Sequence, residues 1–169
     1  MAARYNGVVG WFWGRVSHFN FDKYWKYREK IASRKAGGVM RWYYLYYVKK
    51  TDSYHNASLG THLNFMCAEF ASRPVLPHGL NGIIVTNEAK IGKNCTIYHQ
   101  VTIGGANGGA PVIGDDVMIG AGAKIVGNIK IGNGVKVGAG CVVTINVPDN
   151  STVVLPEARI ICSRQENVI

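Results

Sequence analysis

Two histidines offer the first chemistry in this sequence. His78 stands in "VLPHGLNGIIV" (75–85), between a proline and a glycine, and His99 stands in "TIYHQVTIGG" (96–105), twenty-one positions later. A free imidazole has a pKa of about 6.5, so it can take a proton from a hydroxyl as that oxygen attacks a carbonyl. A histidine between proline and glycine can equally be a polar turn residue. The elements that hold the two residues must decide between these roles.

Those elements repeat. From Val85 a branched aliphatic residue returns every six positions, at Ile91, Ile97 and Ile103. It resumes at Ile113, Ile119, Ile125, Ile131, Val137 and Val143. Glycine directly follows six of these anchors. Four positions after the anchors stand small or aliphatic residues: Ala89, Cys95, Val101, Val117, Ala123, Ile129, Val135, Cys141 and Val147. A period of six fits neither a helix at 3.6 nor a continuous strand at 2. It fits short strands joined by tight corners, with the anchors stacked in a coil interior and the +4 residues beside them. Glycine after the anchor suits a corner that must turn without a Cβ clash. Between Ile103 and Ile113 the spacing is ten instead of six, so four residues of "GGANGGAPV" should loop out from the coil.

Composition sets outer bounds. A chain of 169 residues that is 47% hydrophobic is long and apolar enough for one domain with a core. Twenty-one glycines without an every-third spacing call for many turns, not collagen. Cys67, Cys95, Cys141 and Cys162 have no metal-type spacing, and Cys95 and Cys141 fall in the +4 column as small core residues. The sequence shows no secretory signal and no run of about 20 apolar residues, so a cytoplasmic protein is expected.

The net charge of +9 is unevenly distributed. Residues 1–58 carry a net +8 and 15 of the 18 aromatic residues. The reading is therefore a basic, aromatic-rich helical segment over 1–58, a coil domain over 59–161 and a tail over 162–169. Within the front segment, "FNFDKYWKYREKIASRK" reads as a helix capped by Asn20 or Asp22 and stopped at Gly37-Gly38, and "VMRWYYLYYVKK" reads as a second.

Taken together, the hexads, "VTIGG", "IGAGAKIVGNIKIG" and "VGAGCVV" resemble the hexapeptide-repeat acyltransferases, closest to serine acetyltransferases and polysaccharide-biosynthesis O-acetyltransferases. The resemblance covers roughly residues 75–161. It implies a mainly β fold, a left-handed parallel β-helix with three hexapeptides per turn, and acetyl-CoA as co-substrate without a metal. It places the catalytic base on His78, while His99, where the serine enzymes often carry glutamine, is read as lining the same cleft and binding the acceptor with Asn81, or else as capping a corner. It places coenzyme contacts on Gly104, Gly105, Ala121, Ala123 and Lys124, with Gly138 and Ala139 one coil further. A groove shared between subunits implies a homotrimer, with the extended loop commonly bordering the site. The coil is expected to finish around Val147-Pro148.

The departures from the serine enzymes are specific. Pro77 stands where they carry the aspartate before the base, and Gly109-Ala110-Pro111 stands where they carry Arg-His-Pro. The position of their orienting aspartate, fifteen residues before the base, is Leu63, and one extra residue separates His78 from Gly82. A small zwitterion needs charged partners, and leaving its charges unpaired is costly. The sequence reading therefore favours a sugar or polysaccharide hydroxyl as acceptor, with L-serine as the alternative.

Other classes have less support. A zinc carbonic anhydrase would need three ligands, and only His78 and His99 lie near the repeats. A binding scaffold, keeping the coil without the orienting carboxylate, would bind a partner and no acetyl-CoA. Nucleic-acid binding has charge but no motif. The aromatic, basic front end suits a cap on the first coil, or peripheral contact with an anionic membrane, which would place the protein at the inner face.

Overall fold

The computed structural model describes residues 20–33 and 37–157. Two helices lead into thirteen short strands: α1 (Phe21–Ala32), α2 (Gly38–Tyr54), β1 (Ser58–Leu59), β2 (Glu69–Phe70), β3 (Ile84–Val85), β4 (Lys90–Ile91), β5 (Thr96–Ile97), β6 (Thr102–Gly104), β7 (Val112–Ile113), β8 (Met118–Ile119), β9 (Lys124–Val126), β10 (Lys130–Ile131), β11 (Lys136–Val137), β12 (Val142–Val143) and β13 (Thr152–Val153). They form three parallel sheets, ordered β1-β3-β6-β9-β12, β2-β4-β7-β10 and β5-β8-β11-β13, which make the first, second and third faces of a parallel β-helix.

The hexad explains this architecture. Ile84 pairs with Thr102 and Met118 with Lys136, eighteen positions on, so three hexads make one coil. Thr102 pairs with Lys124, twenty-two positions on, and the four extra residues lie in the loop that the register break predicts. All ten anchors and all nine +4 residues are buried. Each face contributes one anchor per coil, so the interior is three stacked columns of Ile and Val. Burying each such side chain stabilises the fold by about 1.5–3 kcal/mol.

The corners work differently from the expectation. The glycine directly after an anchor serves the packing between coils: a Cβ on Gly114 would meet Asn133, and one on Gly120 would meet the backbone of Gly138 and Ala139. The left-handed backbone falls two residues later, at Asn94, Gln100, Asp116, Gly122, Gly134 and Gly140. The corner between the second and third faces is laced by side chains. Asp115 accepts from the Lys93 N–H at 2.7 Å, Asn133 from Asp115 at 2.8 Å and Asp149 from Asn133 at 2.9 Å.

Two boundaries differ from the reading. The coil continues past Val147-Pro148, because Val147 bridges to Ile131 and β13 pairs with β11. The second helix runs from Gly38 to Tyr54, and Gly37 precedes it as N-cap. Asn20 caps α1 as read, accepting from the Lys23 N–H at 2.9 Å. The proposed tail, 162–169, and the last residues of the proposed coil domain lie outside the described residues.

The helices cap the first coil. Arg28, buried on α1, donates to the carbonyls of Leu59 and Ala68 at 2.6–3.1 Å, and its guanidinium lies over the Phe70 ring. Tyr24 donates to Asp52 of α2 at 2.6 Å. The cap reading of the aromatic front end therefore holds for the described helices. No helix among the described residues is long and apolar enough to cross a membrane.

Candidate active site

His78 and His99 meet at the corner between the third and first faces. His78 lies on the turn from Val75, which bridges to β5, into β3. His99 lies one coil on, between β5 and β6. Their Nδ1 atoms are 2.7 Å apart. Tyr98 stands edge-on to the His78 ring, with centroids 5.7 Å apart. His78 is exposed and His99 partly buried, so an imidazole is held in place at the surface.

The backbone fixes this pairing. Gly79 and Gly82 both adopt positive φ, 67° each, which lets the turn fold tightly on either side of Leu80 and Asn81. The Asn81 amide donates to the His78 carbonyl at 2.8 Å, and its oxygen faces His55 Nδ1 at 3.3 Å. The Gly82 N–H donates to the His55 carbonyl at 3.0 Å, so the C-terminal end of α2 braces the turn. Gln100 donates to the Asn81 carbonyl at 2.9 Å and Gly122 to the His99 carbonyl at 3.0 Å, which stacks the corners of successive coils.

The structure sorts the remaining candidates by corner. Ala121, Gly138 and Ala139 lie on the same corner as the histidines, one and two coils below His99, and Gly140 donates to the Ala121 carbonyl at 2.8 Å. Lys124 is exposed on the first face beside this edge. Gly104 and Gly105 lead instead into the corner between the first and second faces. Ala123 belongs to the core: its side chain is fully buried, its N–H donates to Gly120 and its carbonyl accepts from Thr102. Its place four residues after an anchor is the signal that assigns it there. The Asn81 amide holds the turn through one N–H and its oxygen, and the side chain is exposed beside the histidine pair. The N–H groups of Gly79, Gly82, Gly122 and Gly140 are likewise committed to carbonyls, so none of these glycines offers a free oxyanion donor.

The extended loop is a tight hairpin with Ala106 bridged to Gly109, and Asn107 and Gly108 at positive φ. An Asn-Gly pair suits a two-residue hairpin of this hand. It sits at the corner between the first and second faces, away from the histidines of its own chain. A cleft of about 720 Å³, walled by Arg28, Glu29, Phe65 and Glu88 among others, lies at that corner too, between α1 and the first coils. Its place does not coincide with the histidine pair.

Residues 110–144 match the family model described as bacterial transferase hexapeptide (six repeats). Over these repeats the chain is similar to the hexapeptide-repeat transferases. Over 142 residues it is 34% identical to a serine acetyltransferase of Staphylococcus epidermidis, covering 82% of this chain and 59% of that one. A soybean serine acetyltransferase complexed with serine superposes with a TM-score of 0.63 at 36% identity, covering 82% of this chain and 54% of the other. A Brucella abortus serine acetyltransferase in complex with coenzyme A superposes with a TM-score of 0.64 at 31% identity, covering 83% and 53%. The chain spans about half the length of the curated relatives it matches. These relatives are serine acetyltransferases, and nothing in them supports polysaccharide biosynthesis.

Proposed function

We propose that this protein is an acetyl-CoA-dependent O-acetyltransferase whose acceptor is L-serine and whose general base is His78. The observation that carries the reading is an exposed imidazole held through Nδ1 on the edge of a hexapeptide coil, in a chain similar to serine acetyltransferases. With Nδ1 engaged, Nε2 is the nitrogen that meets the acceptor. It takes the hydroxyl proton as the serine oxygen bonds to the thioester carbonyl carbon. The tetrahedral intermediate then breaks its C–S bond, and the leaving sulfur recovers the proton from His78 to give free CoA. Coenzyme would lie along the small-residue edge of Ala121, Gly138 and Ala139, where absent side chains let an extended thiol arm approach, with Lys124 near enough to that edge to meet a phosphate as a point charge.

CoA release from acetyl-CoA with L-serine tests this reading in wild type and His78→Ala. Turnover in the wild type, reduced about 100-fold or more in the variant, is expected. Serine-independent release at the same rate would overturn it. A second reading, a sugar hydroxyl as acceptor, is favoured by Pro77 and Ala110, which stand where charged residues would hold a zwitterion. Competition between serine and sugar acceptors separates the two.

The same reading includes a homotrimer. The histidine corner and the hairpin corner are different edges of one coil, so a loop could border the histidines only from a neighbouring copy. Sedimentation giving a monomer would remove this element. Peripheral contact with an anionic membrane is supported by exposed Trp42, Tyr43 and Tyr46 on one stripe of α2 and by the basic front segment. Failure to float with anionic vesicles at low salt would remove that.

A further inference from the structure

We infer that His99 is the positioning residue of the site, accepting the Nδ1–H of His78 on its own Nδ1 and so fixing Nε2 of His78 as the basic nitrogen. The choice of tautomer rests on the acetyl-transfer reading above, which needs Nε2 of His78 free; the single shared proton does not.

Two ring nitrogens 2.7 Å apart share one proton. With no proton between them their lone pairs repel, and with two the N–H groups collide. One arrangement puts the proton on His99 Nδ1 and leaves His78 protonated at Nε2, where it cannot act as a base. The other puts it on His78 Nδ1, which frees the Nε2 lone pair and leaves His99 with its proton on Nε2. Only the second gives His78 the work its exposed position allows. When His78 becomes an imidazolium, its Nδ1–H still donates to the same acceptor, so the partner holds the ring through the proton transfer.

The spacing is built in. Ladder bonds from Gln100 to Asn81 and from Gly122 to His99 tie the coils that carry the two rings. The Asn81 brace holds the His78 backbone, and Tyr98 flanks its ring. Leu63, where the family resemblance places an orienting carboxylate, is 62% exposed on a turn of the first coil. An imidazole at 99 fills the acceptor role that position leaves vacant.

A neutral partner holds the ring without adding a charge to it. One proton gained by the pair occupies the base, and a second is opposed by the charge of the first and by the N–H groups that would meet between the rings. The other titratable groups brought to the pair are Tyr98 on the same coil and His55 of the α2 terminus, reached through Asn81.

The test uses the full chain labelled with ¹⁵N-histidine, with ring signals assigned through single-histidine variants. At mildly alkaline pH the expected tautomers are Nδ1–H for His78 and Nε2–H for His99. His78 in the Nε2–H form would overturn the inference, whatever the enzyme's acceptor. In kinetics, His99→Ala should lose about 100-fold in kcat with little change in KM. His99→Gln, whose amide oxygen can accept the same proton, should recover most of that loss. Wild-type kcat in His99→Ala would also overturn it. A wild type that turns over neither serine nor sugars would instead defeat the acetyl-transfer reading, and the tautomers would still decide the pair.

Discussion

Along the coil, Ile97, Ile103, Ile119 and Ile125 are buried side by side, and their side chains hold no polar atom. Under the helical cap, Trp25 and Tyr24 are buried just as deeply beside the guanidinium of Arg28 and the carboxylate of Asp52. The coil satisfies its polar groups through backbone ladders, so its side chains need only the right volume in the right column. The cap joins helices to coil, where no ladder can run, and side chains must supply the hydrogen bonds to the Leu59 and Ala68 carbonyls. An interior built from one repeated contact tolerates exchange among aliphatic residues. A junction built from single polar contacts does not.

The sharpest way to break the contrast is Arg28→Ala. It strands two buried carbonyls and removes a positive charge near Asp52, and should cost about 3–5 kcal/mol of unfolding free energy in denaturant titrations. Arg28→Lys should recover only part of this, since an ammonium lacks the fork that reaches both carbonyls. A loss below about 1 kcal/mol for the alanine variant would show that the cap is held by its aromatics alone. In the coil, Ile125→Ala should cost about 2–5 kcal/mol through lost burial and an unfilled cavity, while Ile125→Val should cost only about 1 kcal/mol.

The cap should also carry a pH dependence that the aliphatic columns lack. Burial pushes the Asp52 carboxyl up to about 6, against the partial offset of the Tyr24 hydrogen bond and of Lys49 and Arg28. The folded state then holds this proton more tightly than the unfolded chain, whose ordinary value is 3.8. Above about pH 6 the cost of burying the charge is fully present, and it is relieved as pH falls toward 4. Asp52 alone should therefore raise stability on acidification across this window by on the order of 2–3 kcal/mol. Asp52→Asn keeps an acceptor for Tyr24 and should flatten the profile there. An unchanged slope in that variant would assign the dependence to other groups.

The smallest effects separate two kinds of corner glycine. Gly122 has positive φ with open space at its Cβ position, so Gly122→Ala should cost about 1 kcal/mol in backbone strain. Gly114 lies against Asn133, so Gly114→Ala should cost about 1–3 kcal/mol by forcing the next coil to shift. Equal thermal shifts for the two would remove the distinction between turning and stacking.

The coil was legible because its information is local. One residue type returning every six positions names its own column, and the break at Ile103 names its own loop. The same pattern assigns Ala123 to the core, although the resemblance alone suggests a coenzyme contact. His78 was legible from its motif and His99 from its neighbourhood, but their pairing was not, because only the ladder bonds that stack successive corners bring the two rings together. On the acceptor two signals disagree: Pro77 and Ala110 stand where charged residues would hold serine, while the similar proteins are serine acetyltransferases.

What the sequence by itself determined is the β-helix, since stacking identical hexads buries every anchor whichever coil forms first. What only the tertiary structure decided is where the exceptions meet. His78 reaches His99 across 21 residues, Tyr24 reaches Asp52 across 28, and Arg28 reaches Ala68 across 40. No period links those positions. Their contacts exist because the coil and its cap fix the backbone first, and the side chains that then face one another share the protons and charges left between them.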